Sequence, residues 1–132
     1  MKDRTRVLLV ETVGVSLRYA VIRYTVPDGA PIALRPVQKL VGGYVECVYT
    51  HSRIPGVSLL VNEDGLSLRL APSPLGGLVG PVAIVGVSRG GAGEDWIGLT
   101  AAQEQAQLAL LGLDPKRVLD GGALPSEGPR AA

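Results

Sequence analysis

The sequence predicts an α+β domain: a mostly antiparallel sheet with a short helix before Gly42 and one C-terminal helix packed on it. Three observations carry this reading. Short β-branched and aliphatic runs recur between turn residues, which is the signature of strands rather than of long amphipathic helices. The segment Asn62-Glu63-Asp64-Gly65 marks a tight chain reversal, because Asp-Gly supplies the positive φ angles that hairpin turns need. The clearest helix start, Thr100-Ala101-Ala102-Gln103, comes late in the chain and has the spacing of a capping box. A chain of 132 residues can form one core. The domain is expected over residues 1–113, followed by a flexible tail over 114–132.

Residues 7–13, Val-Leu-Leu-Val-Glu-Thr-Val, predict a largely buried first strand. Residues 17–26 predict a second strand with one irregularity, since Arg18 and Arg23 fall out of phase, and Pro27-Asp28-Gly29 ends it as a turn. Leu34, Val37 and Leu40 have helical spacing, with Pro36 placed for a first turn, so residues 32–40 predict a short helix. Gly42-Gly43 is a hinge before a strand over residues 44–49, in which Tyr44, Glu46 and Val48 share a face. Residues 57–61 and 66–70 predict the two arms of a hairpin, with Leu66, Leu68 and Leu70 pointing inward.

Residues 71–77, rich in Pro and Gly, predict a loop; residues 81–87 predict a strand; residues 89–95 predict a glycine-rich loop ahead of Trp96. The capping box starts a helix over residues 101–111 that packs through small residues, with Ala102, Ala106, Ala109, Leu110 and Leu113 as its apolar stripe. Gly112 suits a left-handed stop. From Asp120 onward there is little to bury, which predicts disorder.

Composition narrows the function. A formal charge of +1 lacks the basic surplus of a nucleic-acid binder, so no direct sequence-specific nucleic-acid binding is expected. The apolar runs are only a few residues long, far short of a membrane span, and the N-terminal run is broken at Glu11, unlike a signal peptide. A soluble, cytoplasmic protein is expected. Cys47 is the only cysteine, so no internal disulfide can form. One Asn, one Cys, one Met and ten Pro are the usage of heat-adapted proteins, although Pro also rises wherever coding DNA is GC-rich; a thermophilic source is the favoured expectation.

Candidate chemistry is sparse. His51, the only histidine, lies near Glu46, Cys47 and Ser52, but no Cys-x-x-Cys or His-x-x-x-His spacing supplies a zinc site. A Cys47–His51 pair would need a third, orienting group; Cys47 reads as a small buried hydrophobe. Gly90-Gly91-Ala92-Gly93 lacks the Gly-Lys-Ser/Thr of a phosphate loop and is followed by Glu94 and Asp95, which repel phosphate. Glu63 and Asp64 read as turn residues rather than as an acid/base pair. No catalytic residue, metal ligand or cofactor is expected, and the protein is read as a non-enzyme that binds a partner. Trp96, either a core anchor or an interface contact, forms with Arg89 and Asp95 the candidate partner-binding set.

The blocks Gln38-Lys39-Leu40-Val41-Gly42-Gly43-Tyr44-Val45-Glu46, Val61-Asn62-Glu63-Asp64-Gly65, Gly80-Pro81-Val82-Ala83-Ile84-Val85-Gly86 and Leu99-Thr100 occur in that order. Over roughly residues 34–112 this resembles an uncharacterised domain family of phages and mobile elements, with a Val-Gly-Gly-Tyr-(Ile/Val)-Glu block followed by Asn-Glu-(Glu/Asp)-Gly. That family's Leu-Pro-x-Asn segment is replaced here by Leu70-Ala71-Pro72-Ser73. The resemblance implies a phage accessory protein without established catalytic residues. With the thermophile-like composition, it implies a Thermus phage protein that binds host RNA polymerase, through the β-subunit flap and sigma factor, to inhibit or redirect transcription. The alternative is a small-ligand or nucleotide-binding anti-defence protein using the loops around Gly42-Gly43 and Gly90 to Gly93, against which stands the lack of a basic or aromatic cluster in them.

Overall fold

Strand β1, Arg4–Val13, runs through the middle of the sheet in a computed structural model that describes residues 3–13, 18–48, 53–90 and 93–125. On one side it pairs antiparallel with β2, Arg18–Thr25, in unbroken register from Arg6↔Thr25 to Val13↔Arg18. Helix α1, Leu34–Val41, then leads to β3, Val45–Cys47, and β4, Val57–Asn62. Next come β5, Val82–Gly90, β6, Gly93–Ile97, β7, Leu99–Thr100, helix α2, Ala101–Leu111, and β8, Leu119–Ala123. The sheet order is β3-β4-β5-β1-β2-β8, with β6 also paired to β5 and β7 to β1. All pairings but one are antiparallel, as the sequence predicts.

Alternation along the central strands sends apolar side chains to both faces. Leu8, Val10, Leu59, Val61, Val82 and Ile84 pack on one side with Leu99 and Leu108; Val7, Leu60, Ala83 and Val85 pack on the other with Val37 and Val41. Each face carries one helix, α2 over the first and α1 over the second. Helix α1 has Pro36 in its first turn, where no internal hydrogen bond needs its missing N–H. Both helices end on a left-handed glycine, Gly42 at φ 83° and Gly112 at φ 66°. The predicted capping box is present: Gln103 N–H donates to Thr100 Oγ1 at 3.0 Å, and Thr100 N–H donates to Gln103 Oε1 at 3.0 Å.

Four sequence expectations are corrected. Residues 66–70 are not a returning strand: Leu68 N–H donates to Asp64 O and Leu70 N–H to Gly65 O, so the chain coils into turns. The hydrogen-bonding edges of β4 are already taken by β3 and β5, which leaves no place for a strand there. Leu66 and Leu68 are exposed, not inward. Second, residues 89–95 are not a loose loop, because β5 and β6 form a hairpin from Gly86↔Ile97 to Gly90↔Gly93; residues 91–92 lie outside the described residues.

Third, α2 does not pack through its alanines. Ala102, Ala106, Ala109 and Leu110 are exposed, while Glu104, Gln107 and Leu108 are buried. The sheet face beneath α2 presents Arg6 and Arg23, whose guanidinium Nε atoms each donate to a carboxylate oxygen of Glu104. Orienting alanines inward would remove little apolar area from water and would leave both cations without their partner.

Fourth, residues 119–123 stand in the segment expected to be a tail, yet add a parallel strand to the open edge of β2, from Ile22↔Leu119 to Thr25↔Ala123. The one register shift on β2, between Arg23 and Tyr24, lies on this side. Leu124 is buried among Val7 and Val26, and its N–H donates to Thr25 O at 2.8 Å. Main-chain hydrogen bonds hold this strand, and Gly121 lets it approach the Ile22 and Tyr24 side chains.

Candidate functional site

The two motif segments meet at one corner of the sheet. Helix α1 stops at Gly42, whose N–H donates to Gln38 O at 2.8 Å, and Gly43 N–H donates to the same oxygen at 3.1 Å. The chain then enters edge strand β3, which puts Val45 opposite Asn62 at the end of β4. Asn62 is buried: its Nδ2 donates to Val41 O at 3.2 Å, and its Oδ1 accepts from Asp64 N–H at 2.9 Å. One carboxamide therefore ties the helix end to the start of the turn. A Cβ on Gly43 would lie 2.9 Å from Asn62 Nδ2, which is why the block needs a glycine there. Glu63 N–H donates to Tyr44 O at 2.9 Å and closes the junction.

The outer surface of this corner is apolar and acidic. Tyr44 is 66% exposed, Leu66 82% and Leu68 57%, and Glu46, Glu63 and Asp64 are exposed around them. Arg69, also exposed, takes a left-handed φ of 55°, uncommon for a residue with a side chain. Leu66 and Leu68 left in water on one turn, with Tyr44 exposed on the segment joined to it through Glu63 N–H, are the kind of side chains that protein partners cover. The motif block itself was the signal for this corner; the inward placement expected for the leucines concealed its exposed face.

The predicted binding set is not one cluster. Trp96 lies on β6 opposite Val87, half-buried against the core under α1, and its carbonyl accepts from Ile32 N–H at 2.7 Å. Asp95 is exposed and, as the next residue along the strand, belongs to the opposite face of the hairpin. The Arg89 backbone pairs with that of Glu94 in the β5–β6 hairpin. Cys47 is free and half-buried beside Val45 rather than fully buried. His51 and Ser52 lie outside the described residues, and so does the pairing of His51 with Cys47. Among the described residues no group of three His, Cys, Asp or Glu side chains is placed to hold a metal ion, and no helix is long and apolar enough to cross a membrane. The Gly43 side of the Gly42-Gly43 pair is filled by Asn62.

The architecture defines a small α+β domain with a helix on each face of a mostly antiparallel sheet. The chain belongs to the family described as a domain of unknown function (DUF3846), whose model matches residues 5–112. The match runs from β1 to the stop of α2, so it contains both motif segments and leaves β8 outside. No curated protein and no solved structure matches the chain.

Proposed function

We propose that this is a phage-encoded regulator that acts in the host cytoplasm by docking on host RNA polymerase, at the β-subunit flap and sigma factor, and inhibits or redirects host transcription. The observation that supports docking is the corner where the two motif segments meet, which leaves Tyr44, Leu66 and Leu68 exposed together with Glu46, Glu63, Asp64 and Arg69. A tyrosine and two leucines supply apolar contact area, and the carboxylates suit a partner face carrying lysine or arginine at its rim. The polymerase as the particular partner rests on the resemblance of those motifs to phage accessory domains.

The test uses tagged protein and lysate of a thermophilic host. The protein retains polymerase subunits and lowers or redirects promoter-dependent transcription by the purified enzyme. Leu66→Asp, whose side chain already lies in water, keeps the wild-type melting temperature and loses both effects. Transcription unchanged by saturating protein sinks the proposal, and a Leu66→Asp variant as active as wild type removes the corner from it.

A further inference from the structure

Strand β8 closes the sheet at the far end of the strand order from β3 and the Tyr44 corner. It holds that edge lightly. Its pairing with β2 runs only from Ile22↔Leu119 to Thr25↔Ala123, is broken by a bulge at Gly121, and is parallel, the slightly less stable arrangement per residue. All five of its residues are exposed, and Leu124, just beyond it, is the buried side chain that anchors the segment. Lifting the strand therefore exposes little apolar surface, which places it among the parts of a fold that open at low cost. The family model ends at residue 112, so the domain it defines carries no strand on the edge of residues 22–25.

Where β8 ends, an apolar groove of about 600 Å³ opens between Val26, Pro31, Ile32 and Ala33 on one side and Leu124 and Pro125 on the other. Thr25 is the only polar residue in its lining. Leu124 reaches the groove and leaves it unfilled, and the residues that follow Pro125, Ser-Glu-Gly-Pro-Arg-Ala-Ala, bring no apolar side chain larger than proline. Ala33 gives a second sign. It is the N-cap of α1, where Ser, Thr, Asp or Asn would accept a backbone N–H, and it makes no side-chain cap bond. A capping side chain there would put a polar group on the groove wall, and a local rule set aside in this way marks a functional surface.

We infer that the β2 edge and this groove together are a docking surface for an extended peptide segment of another protein, kept closed in the free chain by β8. The seat of β8 defines the main-chain part of the recognition: a strand parallel to β2, with glycine where it crosses Ile22 and Tyr24. A Cβ at Gly121 would lie 2.7 Å from Ile22 Cγ2 and 2.7 Å from Tyr24 Cε1. The groove defines the side-chain part. Three residues after that glycine, at the place of Leu124, the segment carries an aromatic side chain, which fills what leucine leaves empty. Such a segment displaces β8 by making the same backbone bonds while burying more apolar surface. This surface is separate from the Tyr44 corner and can be occupied whatever that corner meets.

The experiment follows the fluorescence anisotropy of a labelled synthetic peptide of residues 118–125 carrying Leu124→Phe as the full chain is added. The peptide binds, about tenfold more tightly than the same peptide with its native leucine. A full chain with Leu124→Asp, whose own strand has lost its anchor, binds the phenylalanine peptide about tenfold more tightly again. Ala33→Asp in the full chain supplies the missing cap, so the melting temperature holds or rises, while the carboxylate on the groove wall abolishes peptide binding. A phenylalanine peptide that also carries Gly121→Val does not bind. The inference is overturned if neither the wild-type nor the Leu124→Asp chain binds the phenylalanine peptide at millimolar concentration, or if the leucine and phenylalanine peptides bind alike. It is equally overturned if the Ala33→Asp chain binds like wild type or the Gly121→Val peptide binds like its parent.

Discussion

Replacing Glu104 by alanine tests the least expected part of the fold. This carboxylate is 5% exposed on the inner face of α2 and receives one guanidinium from Arg6, at 3.0 Å, and another from Arg23. Breaking a buried ion pair costs about 3–5 kcal/mol when the surviving charge stays dry. Here both arginines are partly exposed and can turn towards water, so screening lowers the expected loss to about 2–4 kcal/mol. For a domain of 132 residues, roughly 3–5 °C accompany each kcal/mol, and the melting temperature should fall by roughly 10 °C. Thermal and urea denaturation, followed by far-ultraviolet circular dichroism, measure it. A companion triple variant, Glu104→Leu with Arg6→Met and Arg23→Met, removes all the charges together and should recover most of the loss, since a packed apolar substitute leaves nothing unpaired. A fall under about 2 °C for Glu104→Ala would show that the carboxylate is not the partner these cations depend on. A triple variant as unstable as the single one would assign the loss to packing rather than to orphaned charge.

Gly43→Val drives a β-branched side chain into the Asn62 carboxamide, which cannot move without releasing Val41 O and Asp64 N–H, so a loss of about 1–3 kcal/mol is expected in chemical denaturation. An unchanged midpoint would refute the close approach. Trp96→Ala removes a half-buried ring and should cost about 1.5–2.5 kcal/mol, roughly half the loss of a fully buried aromatic. The fluorescence of this single tryptophan should be intermediate in acrylamide quenching, and quenching like that of free tryptophan would contradict its packing. Removing residues 121–132 takes away Leu124 and the Tyr24↔Gly122 and Thr25↔Ala123 pairs, so the melting temperature should drop by roughly 5 °C. The composition of that segment alone implies no change, and an unchanged value would mean that β8 contributes nothing.

The local chemistry of the chain determined a good deal by itself. Thr100 and Gln103 specify the start of α2 because a capping box closes within four residues, and Gly42 and Gly112 specify helix ends because a left-handed backbone conformation favours glycine wherever it occurs. The apolar runs that became β1, β4 and β5 were legible for the same reason: strands buried on both faces are apolar at nearly every position. Tertiary structure decided what depends on which backbone edge or which partner is free. Leu66, Leu68 and Leu70 alternate like a strand, but both edges of β4 are occupied, so they coil and Leu66 and Leu68 stay in water. Residues 119–123 look like a linker, yet the edge of β2 is open and main-chain pairing has no side-chain signature to read. The face of α2 was set by Arg6 and Arg23, at least 81 residues away in sequence, because two cations on a sheet draw a carboxylate to the interface more strongly than small alanines draw themselves.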